Sequence, residues 1–359
     1  MTSAMKPEDW IRDPVFQLNL LVWMSKEQPK EAYCVRPVFH EAGFDWMAIE
    51  QPFRFPVETA KLIEQINEKG EIRIHSHPEP ELVVKRSRDQ SALYFEAKSN
   101  SFGAGSSTSH QGRGHLIATG PVFAEVNAPL ERALLVYVVP NEVSDPMRAC
   151  LQELALQLRA AALSPGDSAV DGLSAQDAAI HYHFDVPSRG VLGIVESRIL
   201  IIENIAEDTD PSPLLLIYSD EDCPDDERRG YYRHVIQNQA IATMLCEFHR
   251  VNVGESITLS AARILELTTQ GAFSFLGHER RKKMELLLKV NVFNKIAEHW
   301  KSRSPDAVKV HGKELTVSFQ SDSFQSDFLD WLERSKALFG DEAPKGPDIE
   351  QMDFELPIQ

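Results

Sequence analysis

The sequence predicts a mixed α/β fold, with two α+β regions in series. Between Pro56 and Leu163, short strand-like apolar runs alternate with amphipathic stretches of helical period. From His181 onward a second set of strand-like runs leads into longer helical stretches. At 359 residues the chain is also long enough to bury two separate cores.

Residues 14–55 read as short strands and turns, Val15 to Met24 among them. Pro56 suits the first turn of a helix, where its missing N–H costs nothing. Ala60, Leu62, Ile63 and Ile66 then give an apolar stripe that Gly70 ends. Three strand-like runs follow, Ile72 to His75, Leu82 to Lys85 and Leu93 to Lys98, with a polar hairpin connection between the last two. A Gly/Ser-rich loop from Ser99 to Ser109 precedes a helix over His110 to Thr119, which Gly112 and Gly114 weaken. Ala133 to Val139 is the strongest strand pattern, and Pro146 to Leu163 is a helix with Met147, Leu151, Leu154 and Leu158 on one face. Ser164 to Ala175 is small and polar, the composition of a linker. Strands are then predicted at His181 to Phe184, Val191 to Ile202 and Pro213 to Ser219, and helices at Tyr231 to Phe248 and across Leu259 to Trp300. A last strand and helix fall at Glu314 to Phe319 and Phe324 to Leu338. The domains expected are thus 1–163, a linker at 164–175, an α+β domain at 176–339 for substrate recognition or partner docking, and an acidic disordered tail at 340–359.

A formal charge of −17 argues against a protein that coats nucleic acid by bulk charge, and against a polybasic membrane-surface binder. The charge is uneven. Residues 1–145 hold 15 basic and 20 acidic side chains, against 22 and 34 in residues 146–359, so the first part is nearer to neutral. Four scattered cysteines, Cys34, Cys150, Cys223 and Cys246, form no CxxC pair and suit a reducing compartment. No apolar signal core opens the chain and no run is long enough for a bilayer, so a soluble, cytoplasmic protein is expected.

The chemistry-bearing segment is Pro80-Glu81 followed by Glu96-Ala97-Lys98. A hairpin would bring the two carboxylates close, and Glu96 and Lys98, two apart on a strand, share a face. Paired carboxylates hold Mg²⁺ (or Mn²⁺) through hard oxygens, leaving positions for water and phosphate, and a lysine can orient the water or stabilise phosphate charge. The set suits phosphodiester hydrolysis.

These residues resemble the PD-(D/E)xK nuclease superfamily, the restriction-endonuclease-like fold, with Glu in place of Asp after Pro80. The resemblance covers about a quarter of the chain. It implies a core of helix, three strands, helix and strand, with the first acid on the second strand and the E-x-K on the third. It further implies Glu81, Glu96 and the Ala97 carbonyl as metal ligands, Lys98 positioning the attacking water, and Gln111 on the following helix orienting site or substrate. Glu58 and Glu64 are candidates for an accessory acid on the first helix, and Glu79 and His77 stand beside the motif. The activity implied is a metal-dependent nuclease acting on DNA, with a role in bacterial or antiviral defence or DNA processing within a larger complex. The alternative is a catalytically inactive nuclease-like module in a multiprotein assembly.

Ile74-His75-Ser76-His77-Pro78 suggests different chemistry, since H-x-H on a strand suits zinc and the stretch resembles that of JAB/JAMM zinc proteases. The Ser-x-x-Asp that family needs is matched only by Ser87-Arg88-Asp89, one residue short. Candidate nucleic-acid contacts are Lys85, Arg86 and Arg88 on the hairpin, Arg113 on the following helix, and the run Arg280, Arg281, Lys282 and Lys283. A solvated helix face is the commoner meaning of such a run. In the tail, Gln351, Phe354 and Leu356 resemble the short peptide that docks bacterial proteins on the sliding clamp. So acidic a chain is expected to bind plain duplex weakly, with a partner protein or second subunit delivering the substrate.

Overall fold

The computed structural model describes residues 6–28, 34–70, 72–123, 131–205, 214–218 and 226–338. The chain divides into two compact units, residues 1–222 with 271–281, and residues 223–270 with 282–359.

In the first unit, helices α1 (Pro7–Trp10), α2 (Pro14–Met24) and α3 (Val38–Glu41) precede strand β1 (Asp45–Ile49). Then come α4 (Val57–Lys69), β2 (Leu82–Arg86), β3 (Ser91–Ala97), α5 (Ser107–Ala118), β4 (Arg132–Pro140), α6 (Ser144–Ala160), β5 (Asp167–Gln176), β6 (Ala179–His183), α7 (Val186–Leu192) and β7 (Arg198–Ile202). The strands form one seven-stranded sheet in sequence order. Pairing is antiparallel from β1 to β3, parallel from β3 through β4 to β5, and antiparallel from β5 to β7. The mixed α/β class therefore holds.

The pleat separates two packed faces. Tyr94 of β3 and Leu135, Tyr137 and Val139 of β4 meet Ile63 and Ile66 of α4, Leu116 and Ile117 of α5, and Met147, Leu151, Leu154 and Leu158 of α6. Phe95 points the other way, onto Phe39 at a ring separation of 4.7 Å.

Several expected elements differ. Val15 to Met24 is helix rather than strand. Asp13 caps it through the amides of Val15 and Phe16, Pro14 sits in its first turn, and it is buried from Val15 to Met24. Uniform burial removes the amphipathic period that marks a surface helix. Ile72 to His75 is not a strand. The Ile74 amide and carbonyl are taken by the Asn67 side chain, and the His75 amide by the His110 carbonyl. The strand that pairs with β2 is instead β1, which precedes α4. Residues 164–175, expected as a linker, contain most of β5, an interior strand of the sheet, and β6 and β7 extend that sheet past the boundary expected at 176. Val191 to Ile202 is a strand only from Arg198. Pro213 to Ser219 yields no strand among its described residues. Asn19 bonds Leu216 and Ile217, and the Trp23 indole donates to the Leu214 carbonyl. The acidic tail and the Gln351, Phe354 and Leu356 peptide lie outside the described residues, as does Cys223. Cys34, Cys150 and Cys246 are free thiols.

The second unit holds helix α8 (Asp226–Phe248), strand β8 (Ser256–Ser260), helix α9 (Ala261–Thr268), most of α10 (His278–Leu288), helix α11 (Asn294–Lys301), strands β9 (Val308–His311) and β10 (Glu314–Ser318), and helix α12 (Asp322–Leu338). Its three strands pair antiparallel in the order β8-β10-β9. Phe248, Phe319, Phe324, Phe328 and Trp300 form an aromatic core. No helix among the described residues is long and apolar enough to cross a membrane.

Candidate active site

The β2–β3 ladder pairs Leu82 with Phe95, and one step further sets Glu81 opposite Glu96. The Ala97 amide donates to Glu81 Oε2 at 3.0 Å, which fixes that carboxylate over the end of β3. Lys98 places its ammonium 2.6 Å from Glu96 Oε1 and 3.9 Å from Glu81 Oε1. The three residues singled out by the motif thus converge. The Glu96 side chain is 1% exposed, and its Oε2 accepts no hydrogen bond among the described residues. Burial and the neighbouring Glu96 push the Glu81 carboxyl well above the usual carboxylate range, against the opposing pull of Lys98 and the Ala97 amide.

A cavity of about 230 Å³ opens beside these groups. Glu50, Glu81, Ala97, Lys98 and Ser99 supply its polar wall, and Pro14, Val15 and Leu18 of α2 form an apolar side. α2, unforeseen as a helix, is therefore part of the site.

Gln111 is half-buried, and among the described residues no hydrogen bond ties it to Glu81, Glu96 or Lys98. One turn on, His115 takes that place. It is fully buried, with Nδ1 3.7 Å from Glu96 Oε2. Burial lowers its titration below the usual histidine range although Glu96 pulls it up. Gly114 lets α5 approach the His75 segment, since a Cβ there would lie 2.7 Å from the His75 carbonyl oxygen. Glu58 and Glu64 are exposed on α4, Glu58 beside Lys61, and Glu79 and His77 are also exposed.

Two of the expected nucleic-acid contacts are internal struts. Arg86 is 3% exposed, chelates Asp89, reaches the carbonyls of Ala42, Val191 and Leu192, and stacks on Phe44. Arg113 is 4% exposed and spends its donors on Gln157, Ser109 and the carbonyls of Arg73 and Ala104. Arg280 pairs with Glu50 at 2.9 Å. Lys85, Arg88, Lys282 and Lys283 are exposed and Arg281 is half-buried. Sequence reasoning missed Glu50, which needed knowledge of β1, and the contact of His115 with Glu96.

The zinc alternative loses its geometry. His75 and His77 are not on a strand, and Asp89 is engaged by Arg86, Ser91 and Arg132.

Among the described residues no three His, Cys, Asp or Glu side chains are gathered closely enough to ligate a divalent ion. Two facing carboxylates, one with a buried oxygen that accepts no hydrogen bond, suit Mg²⁺ or Mn²⁺, which bind through one or two carboxylates and keep several waters. A scan against protein-family models finds no match, and searches of curated proteins and of solved structures find none either.

Proposed function

We propose that the chain is a metal-dependent nuclease of the restriction-endonuclease-like type, hydrolysing phosphodiester bonds of DNA. The observation that carries this reading is the convergence of Glu81, Glu96 and Lys98, with Glu81 and Lys98 lining a cavity and Glu96 buried behind Lys98. The element order supports it. A helix, β1, β2, β3, α5 and β4 follow the expected core if α2 or α3 is its first helix and α4 is an insertion; Glu81 then immediately precedes the second strand and Glu96 lies on the third.

Glu81 and Glu96 would hold the ion, with the Ala97 carbonyl beside them. Mg²⁺ or Mn²⁺, when bound, supplies charge that polarises the phosphoryl oxygens. With Glu96 so engaged, the Lys98 ammonium turns to the attacking water or to the phosphate. His115 backs Glu96 from the core, and Pro14, Val15 and Leu18 keep one side of the cavity apolar. The net charge of −17 calls for a partner protein or second subunit to deliver DNA, as in defence or DNA-processing assemblies of the cytoplasm.

A second reading has its own observation. The Lys98–Glu96 contact and the Ala97 amide already engage both carboxylates, as in a module that keeps the fold as a docking scaffold. Purified protein with Mg²⁺ or Mn²⁺, offered plasmid, single-stranded DNA and RNA, decides between them. Cleavage by wild type that Glu96→Gln and Lys98→Ala abolish is the expected result. Equal behaviour of wild type and both variants would overturn the nuclease.

A further inference from the structure

Residues 271–281 return from the middle of the second unit's sequence to complete the first. The Gly277 amide donates to the Ile49 carbonyl at 3.0 Å, and Gln51 Nε2 donates to the Phe275 carbonyl at 2.6 Å. Trp46 meets Phe275 edge to face. Gly277 is required here, because a Cβ would lie 2.3 Å from the Glu50 carbonyl oxygen. So fastened, the segment brings Arg280 Nη2 within 2.9 Å of Glu50 Oε1, with side-chain exposures of only 16% and 5%.

We propose that Glu50 is a third acidic residue of the metal site, held in reserve, and that Arg280 is the positioning residue that holds it there. The inference rests on the nuclease reading. Glu50 directly follows β1 and its amide donates to the Glu81 carbonyl at 3.0 Å, so the two acids are neighbours through their backbones. Both line the same cavity with Lys98.

A buried ion pair is a poor fastener, because desolvation offsets most of its attraction. The segment is already held by two backbone-directed hydrogen bonds and an aromatic contact, so this pair is not needed to anchor it. What it does do is set the charge of the cavity wall. The guanidinium and a divalent cation compete for one carboxylate. Arg280 thus keeps the Glu50 carboxylate from joining Glu81 and Glu96 as a ligand, and its removal would leave Glu50 able to turn toward the ion.

The test is calorimetric titration of the full chain with Mn²⁺, with no nucleic acid present. Arg280→Gln is expected to bind Mn²⁺ about tenfold more tightly than wild type, since removal of a nearby unit charge acts on a divalent ion with doubled strength. Glu50→Gln leaves the guanidinium without its counter-charge and is expected to bind Mn²⁺ about tenfold more weakly. Glu50→Gln is the second probe should Arg280→Gln not fold, as judged by its melting curve. A merely structural pair would give unchanged or weaker Mn²⁺ binding in Arg280→Gln and unchanged binding in Glu50→Gln, and either result in folded protein overturns the inference. Glu81→Gln and Glu96→Gln separate the two failures. If they abolish binding while the Glu50 and Arg280 variants match wild type, only this inference falls. If they leave binding intact, the nuclease reading falls with it.

Discussion

Two buried carboxylates on the same sheet, Glu96 of β3 and Asp171 of β5, live in opposite circumstances. Asp171 accepts from the Tyr182 hydroxyl at 2.8 Å, the Ser188 hydroxyl at 2.6 Å and the Asp185 amide at 2.7 Å. Glu96 has one lysine contact, an oxygen that accepts no hydrogen bond among the described residues, and a second carboxylate facing it across the hairpin. Equal burial does not mean equal purpose. A carboxylate whose lone pairs are filled by fixed donors ties the fold together, and one left underfilled beside another acid has capacity to spare, which the proposed nuclease would use for its cation.

The sharpest way to break this contrast is at Lys98 and Glu96. Lys98→Ala and Glu96→Gln are each expected to lower cleavage per folded molecule by about 10²–10⁴-fold. Asp171→Ala should do the reverse. It strands three donors, costs about 2–4 kcal/mol in denaturant unfolding, and leaves cleavage per folded molecule unchanged. A nuclease defect in folded Asp171→Ala protein would erase the distinction.

Proton linkage sharpens it further. Burial outweighs the three donors and pushes the Asp171 carboxyl up to about 7. An unfolded aspartate ionises near pH 4, so between these values the folded state alone keeps the proton. The stability this group contributes is full below about pH 4 and is lost as the pH rises through about 7. Asp171→Asn, which does not titrate, should flatten that decline in melting temperature from pH 4 to 7. The smallest effect is expected at Glu58. It is an exposed acid 3.9 Å from Lys61, and Glu58→Ala should leave both melting temperature and cleavage at wild-type level.

Where the sequence was readable, the signal was local. Pro80-Glu81 and Glu96-Ala97-Lys98 stand at the open end of one hairpin, just before β2 and at the end of β3, so spacing alone brings them together. The helix α4 carries a clean period and ends at Gly70, and β4 is a continuous apolar run of strand length that ends at Pro140. Long-range burial hid the rest. α2 is apolar all round and lacks a period, although Asp13-Pro14 is a fair helix-start signal. β5 reads as a linker because its residues are small, and only the strands on either side show that they are core. Composition cannot tell a buried arginine from an exposed one, so Arg86 and Arg113 passed for DNA contacts. The pairing of Glu50 with Arg280 joins residues 230 positions apart, beyond the reach of any local pattern.

That separation bears on the order in which the chain is made. The sheet strands, Glu81, Glu96 and Lys98 all leave the ribosome well before Arg280 does. Domains generally fold as units from the N-terminal end during synthesis. Until residues 271–281 arrive, the nascent first unit has Glu50 without its guanidinium and β1 without the segment that docks on it. The site thus reaches its final charge late, when most of the polypeptide has been translated.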